Sequence, residues 1–566
     1  SGALRLNAAL TIGNSTFSGN ISGTSAIVMN TGTLTFSGNN TNWSGGITGT
    51  GGNPGMNGAV FIAGADNAFG NGTITGGINP SISIRSSDAT DRTLANSISR
   101  SNGAAGTLVL GSAGTGNLTI QGGFISTNDV ALGTIQVDNA WTQINGAVTS
   151  NSTTNPRDTL FKTGNGTLIL NGNNTYAPDT TISAGTLQMA HASALGSGGN
   201  ITFSGGALQF GSGITTDISS RIKNSGSAIV VDTNSNNVTF ASNLGSTNSG
   251  GLTKNGTGTL ILGTDNTYTG TTTVNAGTLQ LSGNISSSAL TMAAGGILSI
   301  GNTTTAAKYN ASSITLQGGS GYAFTIGNVS ASVAGTDYDQ LTATGALTFN
   351  NTAASPFTVY VNGTPSNWSN TGNYTWNIMS GASISGFNSG NFAVNTNSFG
   401  IASGNRTGTW SFGTAGSNLT LSYTLATPDY FWDGGTGNWT DSYSAGVRGF
   451  TPGNPTADDN LYFTGAGGTV TNNMTSGTIS SVNFITFNST AGAYTLAAAS
   501  GAAGASGGTA LTVKGDIINN SATAQVISMN LAFGGSSSGV INTAAGNITI
   551  SGGLSGSGTL TKEGNY

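Results

Sequence analysis

Residues 254–268 read Lys-Asn-Gly-Thr-Gly-Thr-Leu-Ile-Leu-Gly-Thr-Asp-Asn-Thr-Tyr, and residues 162–176 read Lys-Thr-Gly-Asn-Gly-Thr-Leu-Ile-Leu-Asn-Gly-Asn-Asn-Thr-Tyr. Both stretches lead to Ala-Gly-Thr-Leu-Gln, at 276–280 and 184–188. Every matched position is displaced by 92 residues, so the spacing repeats along with the residue types. A fixed period of this kind is typical of a solenoid, in which each repeat packs on its neighbours.

Each copy combines short strands with tight corners. In Gly-Thr-Leu-Ile-Leu, Leu260 and Leu262 alternate with outward-facing residues, as in a strand with one buried face. Asn and Gly tolerate the backbone conformations of sharp turns. No segment shows helical periodicity with caps. The sequence therefore predicts an all-β protein, a parallel β-helix or solenoid, and we expect it to be right-handed.

Further partial copies extend the pattern. One begins at Gly32-Thr-Leu-Thr-Phe36, and another begins at Gly558 and is unfinished at Tyr566. With 566 residues, the chain exceeds the roughly 250–300 residues that one globular core supports. A solenoid has no such limit, because its core grows coil by coil.

The composition excludes several functions. Only 6% of the residues are charged, against about 25% in typical globular proteins, and the net charge is −5. Without a basic patch, nucleic acid is not an expected partner. No apolar run reaches the roughly 18 residues of a membrane-spanning helix, and without cysteine no disulfide can form. We also expect no cofactor.

The repeat pattern changes near residue 305. Between there and 427, the segments 357–361, 374–378 and 419–423 alternate like antiparallel or edge strands. A new start follows at residues 430–439, with the sequence Tyr-Phe-Trp-Asp-Gly-Gly-Thr-Gly-Asn-Trp. We predict three parts: a solenoid at 1–305, an inserted β-rich module at 306–427, and a second solenoid segment at 428–566.

Residues 251–281 resemble the autotransporter-associated β-strand repeat, also called the passenger-associated transport repeat. The matching residues are Gly251, Leu252, Lys254, Gly256, Gly258, Leu260, Leu262, Asn266, Tyr268 and Gly270. The first copy departs from the pattern, because Ala177-Pro178 follows its tyrosine. The resemblance implies a secreted or surface-displayed stalk of a Gram-negative bacterium, and a passenger region without its translocator.

The two ends of the sequence suggest self-association. Placed after Tyr566, the segment Gly2-Ala-Leu4-Arg-Leu6 completes the repeat that the last residues leave open. We expect the chain to be one period of a longer array or one protomer of a head-to-tail filament. The candidate interface residues are Gly2, Leu4, Leu6, Leu560, Lys562, Gly564 and Tyr566.

Catalytic chemistry is not expected. The one histidine, His191, lies in a turn-like stretch, and a catalytic triad needs a base with a nucleophile and an orienting group. Neighbouring carboxylates at Asp337/Asp339 and Asp458/Asp459 are candidates for a calcium site, since hard oxygens cluster there. These pairs, together with Asp88/Asp91, are the basis of the least favoured hypothesis, a carbohydrate-active enzyme.

The leading hypothesis is a structural extracellular or cell-surface protein that forms a stalk or filament. The alternative is a surface adhesin that binds glycans or host and environmental surfaces through loops and exposed aromatic rings. Against the second hypothesis, a tryptophan in a glycine-rich chain more often fills a core or covers an end. The tryptophans concerned are Trp43, Trp141, Trp368, Trp376, Trp432 and Trp439.

Overall fold

The structure is a computed structural model of the chain. It describes residues 4–6, 10–29, 31–49, 58–76, 81–101, 106–127, 132–150, 159–302, 305–329, 333–368, 373–401, 408–424, 429–441, 450–451, 454–455, 458–474, 479–533, 539–556 and 560–564. Apart from two short 3₁₀ turns at Ser219–Arg221 and Ser389–Asn391, the regular elements in these ranges are β-strands. The prediction of an all-β solenoid is confirmed, because most of these strands pair in parallel with a strand one coil further on.

The chain forms two compact units. The first comprises Ser1–Asn367, Trp376–Ile401 and Phe412–Leu421, and the second comprises Trp368–Thr375, Ala402–Ser411 and Ser422–Tyr566. The three-part division that the sequence suggested remains a prediction.

Two long parallel sheets begin near the start of the first unit, where Leu4–Leu6 pairs separately with Ile21–Gly23. Sheet 1 contains the strands Leu10–Ile12, Ile27–Met29, Ile47–Gly49, Ile74–Gly76, Ile98–Ser101, Phe124–Thr127 and Val148–Ser150. Sheet 2 contains Ser15–Phe17, Gly32–Phe36, Ala59–Ala63, Ile82–Ser86, Thr107–Leu110, Gly133–Val137, Leu160–Thr163, Thr180–Ile182 and Ile201–Phe203.

Two further sheets continue the unit. Sheet 3 includes Arg92–Leu94, Leu118–Ile120, Trp141–Ile144, Thr167–Leu170, Thr186–Met189, Ala207–Phe210, Ile229–Asp232, Leu252–Asn255, Thr272–Val274, Ile285–Met292, Lys308–Gln317, Gln340–Ala343, Ala346–Asn350, Tyr374–Ser380 and Ser383–Ser385. Sheet 4 contains Asn237–Phe240, Thr259–Leu262, Gly277–Leu281, Gly296–Ile300, Gly321–Thr325, Phe357–Asn362 and Phe392–Asn395. Two adjoining strands, Thr409–Ala415 and Asn418–Thr424, follow in the chain.

The second unit has three sheets. Sheet 5 contains Asp429–Asp433, Phe450–Thr451, Asn460–Thr464, Ile485–Phe487, Ile517–Asn519, Gly539–Thr543 and Leu560–Gly564. Sheet 6 contains Gly437–Asn438, Gly468–Asn472, Tyr494–Ala498, Gln525–Ile527 and Ile548–Ile550. Sheet 7 contains Ser481–Val482, Leu511–Val513, Leu531–Phe533 and Leu554–Gly556. The core of the second unit holds Trp432, Trp439, Phe463 and Phe487, all fully buried.

The alternation read from the sequence sets which side chains face the core. Leu168 and Leu170 are buried, while Thr167 and Ile169, which alternate with them, are half-buried on the outer face. The register places Leu160 opposite Thr180 and Thr180 opposite Ile201, so these coils take 20 and 21 residues. Aligned side chains therefore stack coil upon coil, which buries apolar area with no need for a separate packing layer.

Coils are longer in the region around residues 321–395. Gly321 lies opposite Thr358, and Phe357 lies opposite Phe392, in parallel pairs. The expectation of antiparallel or edge strands is therefore wrong at 357–361, because this strand has a parallel neighbour on each side. Alternation reports that one face of a strand is buried, and it carries no information about the direction of the neighbouring strand.

The two copies of the 92-residue repeat lie on different sheets. Thr167–Leu170 belongs to sheet 3, whereas the equivalent Thr259–Leu262 belongs to sheet 4. Along sheet 3 the register runs from Thr167 through Thr186, Ala207 and Val230 to Thr253. Four coils after Thr167, the same face thus holds the lysine strand of the second copy. The repeat folds alike on either face, so its structure is set locally.

Glycine is required where a corner passes the preceding coil. Gly277 has φ +65°, and a Cβ there would lie 2.4 Å from the carbonyl oxygen of Gly258. Its counterpart Gly185 has φ +59° and the same clash, at 2.4 Å from the Gly164 oxygen. Both the left-handed conformation and the close approach exclude a side chain.

We expect Gly277→Ala to destabilise the first unit by more than about 2 kcal/mol, because it adds a backbone clash to left-handed strain. Gly213→Ala is the matched control, since Gly213 has φ +75° but no atom within 4 Å of an added Cβ. Chemical denaturation of both variants tests this. Equal loss of stability in both would show that the close approach contributes nothing.

Candidate functional site

The candidate functional site is the group of polar side chains that fasten one coil to the next. Lys254 is fully buried, and its Nζ donates to the carbonyl oxygens of Asn255 at 2.8 Å, Gly256 at 2.7 Å and Ala276 at 3.1 Å. The first two acceptors belong to its own corner and the third to the next coil. One ammonium group with three donors thus satisfies three main-chain oxygens.

Lys162 repeats the arrangement. Its Nζ donates to Thr163 at 2.8 Å, Gly164 at 3.0 Å and Ala184 at 3.0 Å. Burial lowers the pKa of each lysine to about 8, and the charges of Asp138 and Asp232 oppose this shift for Lys162 and Lys254 respectively. We call this arrangement the lysine socket.

The asparagine of the repeat reaches in both directions along the solenoid. The Asn174 side-chain oxygen accepts from the Val148 amide of the preceding coil at 2.7 Å, and its Nδ2 donates to the Ala194 oxygen of the following coil at 2.6 Å. In the second copy, Asn266 accepts from the Leu244 amide at 2.9 Å. Asn40 makes the same two-way bridge between Ile21 and Ala68. The amide side chain therefore replaces ladder hydrogen bonds that a corner interrupts.

The tyrosine fills the core beneath the same corner. Tyr176 and Tyr268 are fully buried, and their hydroxyls lie 3.2 Å from the Thr180 Oγ1 and 2.5 Å from the Thr272 Oγ1. Burial raises the pKa of both tyrosines to about 12. In the sequence the Asn-Thr-Tyr stretch indicates only a turn, and nothing in it reveals that the asparagine side chain joins neighbouring coils.

Two arginines bind corner carbonyls in the same way. The Arg100 guanidinium donates to the Leu132 oxygen at 2.9 Å and to the Gly106 oxygen, and burial lowers its pKa to about 10. Arg221 donates to Gly199 at 2.8 Å and Leu195 at 2.8 Å. Neither residue lies in the repeat, so no pattern in the sequence points to them.

The predicted interface residues lie partly outside the described ranges. Gly2 and Tyr566 fall outside them, and of Leu6 the backbone alone is described. Leu4 is 36% exposed and Leu560 39% exposed, although both occupy strands. Lys562 lies in the segment Leu560-Thr-Lys-Glu-Gly564, and its Nζ donates to the Gly564 oxygen at 2.7 Å. Lys562 is exposed. Its contact with Gly564 corresponds to the contact that Lys254 makes with Gly256 in the lysine socket.

The carboxylates proposed for calcium contact protein donors. Asp339 is fully buried and accepts from the Ala307 amide at 2.9 Å and the Thr325 amide at 2.8 Å, while burial raises its pKa to about 7. Asp337 accepts from the Val333 amide at 2.7 Å. Asp458 is paired with Lys514 at 2.7 Å, and hydrogen bonds from Lys514 and Ser481 lower its pKa. Asp459, its neighbour in the sequence, is buried.

In the part of the chain that the structure describes, no three acidic or histidine side chains group as metal ligands would. The calcium candidates therefore stay predictions.

His191 lies in a turn, where its Nδ1 accepts from the Ser193 amide at 3.0 Å. Nor do the described ranges include a helix that is both long and apolar enough to cross a membrane.

The tryptophans divide into two groups. Trp43, Trp376, Trp432 and Trp439 are buried in the cores, as expected. Trp141 and Trp368 are half-buried. In the second unit Trp368 packs 4.9 Å from both Tyr374 and Tyr423, and Trp410 packs 5.1 Å from Tyr423, measured between ring centroids. These four rings form one aromatic cluster.

Stacked coils joined by internal lysine and asparagine side chains define a repeat protein of the β-solenoid class. Comparison with known proteins specifies the class: residues 160–189 and 252–281 match the passenger-associated-transport-repeat family. The matched segments each contain one lysine socket and one buried tyrosine. The resemblance noted in the sequence is thus confirmed.

A curated relative agrees. The chain is 34% identical over 238 residues to the adhesin BmaC autotransporter of Brucella suis biovar 1 (strain 1330), a match that covers 39% of this chain and 7% of that protein. The chain therefore matches a small part of a much longer protein. The two matches support an autotransporter passenger protein with an extracellular, outer-membrane-associated location at the cell surface.

The lysine sockets predict an unusual pH dependence of stability. Because the folded pKa is about 8 and the ordinary value is 10.5, the unfolded state holds these protons to higher pH. The free energy of unfolding should therefore rise between pH 8 and 10, by up to roughly 3 kcal/mol per lysine over the full range. Above pH 10 the raised pKa values of Tyr176 and Tyr268 should reverse the trend.

Denaturant unfolding at pH 7.5, 8.5 and 9.5 measures this slope. The double variant Lys162→Met/Lys254→Met should flatten it, whereas Lys308→Met, at an exposed position, should not. An unchanged slope in the double variant would assign the dependence to other groups.

The asparagine bridge predicts a second effect. Asn174→Ala leaves a buried amide and a buried carbonyl without their partner, so we expect a loss of about 2–3 kcal/mol in the free energy of unfolding. Asn171→Ala removes an exposed contact to Asn145 and should change stability by less than about 0.5 kcal/mol. Thermal unfolding followed by circular dichroism compares the two, and similar losses would contradict the bridging role.

Proposed function

We propose that this chain is a non-enzymatic stalk segment of a surface passenger, and that its solenoid holds other parts of the protein away from the cell. The observation that carries the proposal is the lysine socket, which ties each repeat to the following coil through main-chain oxygens. Such contacts depend on no particular ligand or partner surface. Because each contact joins only adjacent coils, coils can be added without limit, and a spacer requires this property.

The absence of catalysis is part of the proposal. The Asp458 carboxylate binds Ser481 and Lys514, and the Asp339 carboxylate binds two main-chain amides. Groups held in this way serve the fold, and neither pair flanks a substrate cleft with a free acid and base.

We further propose that the coil ending at residues 560–564 accepts another coil, from the same polypeptide or from a second copy. Lys254 and Lys162 each take a third acceptor, Ala276 or Ala184, from the following coil. Lys562 occupies the same motif position and is exposed, as is Leu554 at 51%. An added coil would bury both side chains and supply the carbonyl, which would make a filament contact of the heterologous type.

Electron microscopy and light scattering of the purified chain test this proposal. We expect concentration-dependent filaments, with Lys562→Glu shortening or abolishing them because a carboxylate cannot donate to carbonyl oxygens. Lys308→Glu makes the same charge change at an exposed position and should leave assembly intact. If the chain forms isolated rods at all concentrations, the filament proposal is wrong and the stalk proposal remains.

A second candidate function is adhesion, favoured by the 34% identity to a protein named as an adhesin. Beads coated with the folded chain should adhere to surfaces that carry glycans or host proteins. Beads that bind no more than beads coated with an unrelated protein would rule this function out.

A further inference from the structure

A groove runs along the outer face of sheet 2. Its wall residues Thr33, Val60, Ser83 and Val109 occupy successive strands and lie in register, each one coil from the next. They are outward-facing and half-buried. The groove, defined by these four residues with Gly58 and Ser81, encloses about 510 Å³.

The glycines at the groove pack against the neighbouring coil. A Cβ on Gly58 would lie 1.4 Å from the Ser81 carbonyl oxygen, and one on Gly32 would lie 2.3 Å from the Asn14 side-chain oxygen. Side chains are therefore excluded at both positions, and adjacent coils lie in close contact there.

The chemistry of the lining selects among ligands. The strands beneath the groove already pair with each other on both sides, so a peptide cannot add to them as a further strand. Within these four strands Arg85 is the single charged residue, and it does not line the groove. The segments that lead into three of them, residues 51–57, 77–80 and 102–105, also contain no charge in their sequence.

We propose that this groove binds a neutral oligosaccharide. Hydroxyls of Thr33, Ser81 and Ser83 match sugar hydroxyls as donors and acceptors, and the methyl groups of Val60 and Val109 match the C–H face of a pyranose ring. The absence of a lining charge disfavours acidic glycans, because an anion would lose its hydration without a compensating cation. The proposal deepens the adhesion function and rests on it.

The test uses the full chain and two sets of probes of equal length. Neutral hexasaccharides of glucose, mannose or galactose form one set, and hexagalacturonate is the acidic probe. Saturation-transfer NMR and calorimetry measure binding. We expect at least one neutral hexasaccharide to bind and hexagalacturonate not to bind.

Ser83→Arg places a long cationic side chain in the groove and should weaken neutral binding at least about tenfold, which corresponds to about 1.4 kcal/mol. Thr181→Arg is the matched control, because Thr181 faces outward on the same sheet beyond the groove. Circular dichroism establishes that both variants are folded.

Three outcomes overturn the proposal: no neutral probe binds, the acidic probe binds more tightly, or Ser83→Arg binds as well as the unaltered chain. The bead assay separates this failure from that of adhesion. If beads carrying the unaltered chain and Ser83→Arg adhere equally, adhesion stands and the groove is not its site. If neither adheres, the adhesion function itself fails.

Discussion

A parallel solenoid depends on how it satisfies main-chain groups at its corners. Along the flat faces, each strand pairs with the coils before and after it, but every corner interrupts these ladders and leaves amides and carbonyls inside the protein. Buried cations and amides answer this need. Lys162, Lys254, Arg100 and Arg221 all donate to carbonyl oxygens, and Asn40 and Asn174 bridge three successive coils. The core can then remain apolar between the corners.

This mode of fastening is almost independent of ion pairing. Two salt bridges within the described ranges, Arg92–Asp88 and Lys514–Asp458, each have an exposed carboxylate. The buried cations bind uncharged oxygens, so their contacts are shielded from salt and do not need an ionised carboxylate. A chain with 6% charged residues can therefore form internal charge-assisted hydrogen bonds. The corresponding cost is the desolvation that lowers the lysine pKa values.

Much of this architecture could be predicted from the repeat alone. Alternation in Thr-Leu-Ile-Leu gave the strands, and the 92-residue spacing gave the solenoid. The direction of strands at 357–361 could not be derived, because burial alternates equally in both directions. The contact between Lys254 and Ala276 could not be derived either, because the sequence alone does not reveal the coil length that brings these two residues together. The groove on sheet 2 depends on the register of four strands outside the two full copies of the repeat, and no local pattern in the sequence indicates it.

The two repeat copies occupy different faces, and this determines how a long array would present its surface. A given position of the repeat lies on one face of the solenoid in the first copy and on another face in the second copy. Successive copies with this spacing would place any feature of the repeat on a different face each time, so that the feature would be distributed around the axis of the solenoid. A stalk of this kind would have no preferred side, and a binding face such as the one on sheet 2 would come from segments other than the two full copies of the repeat.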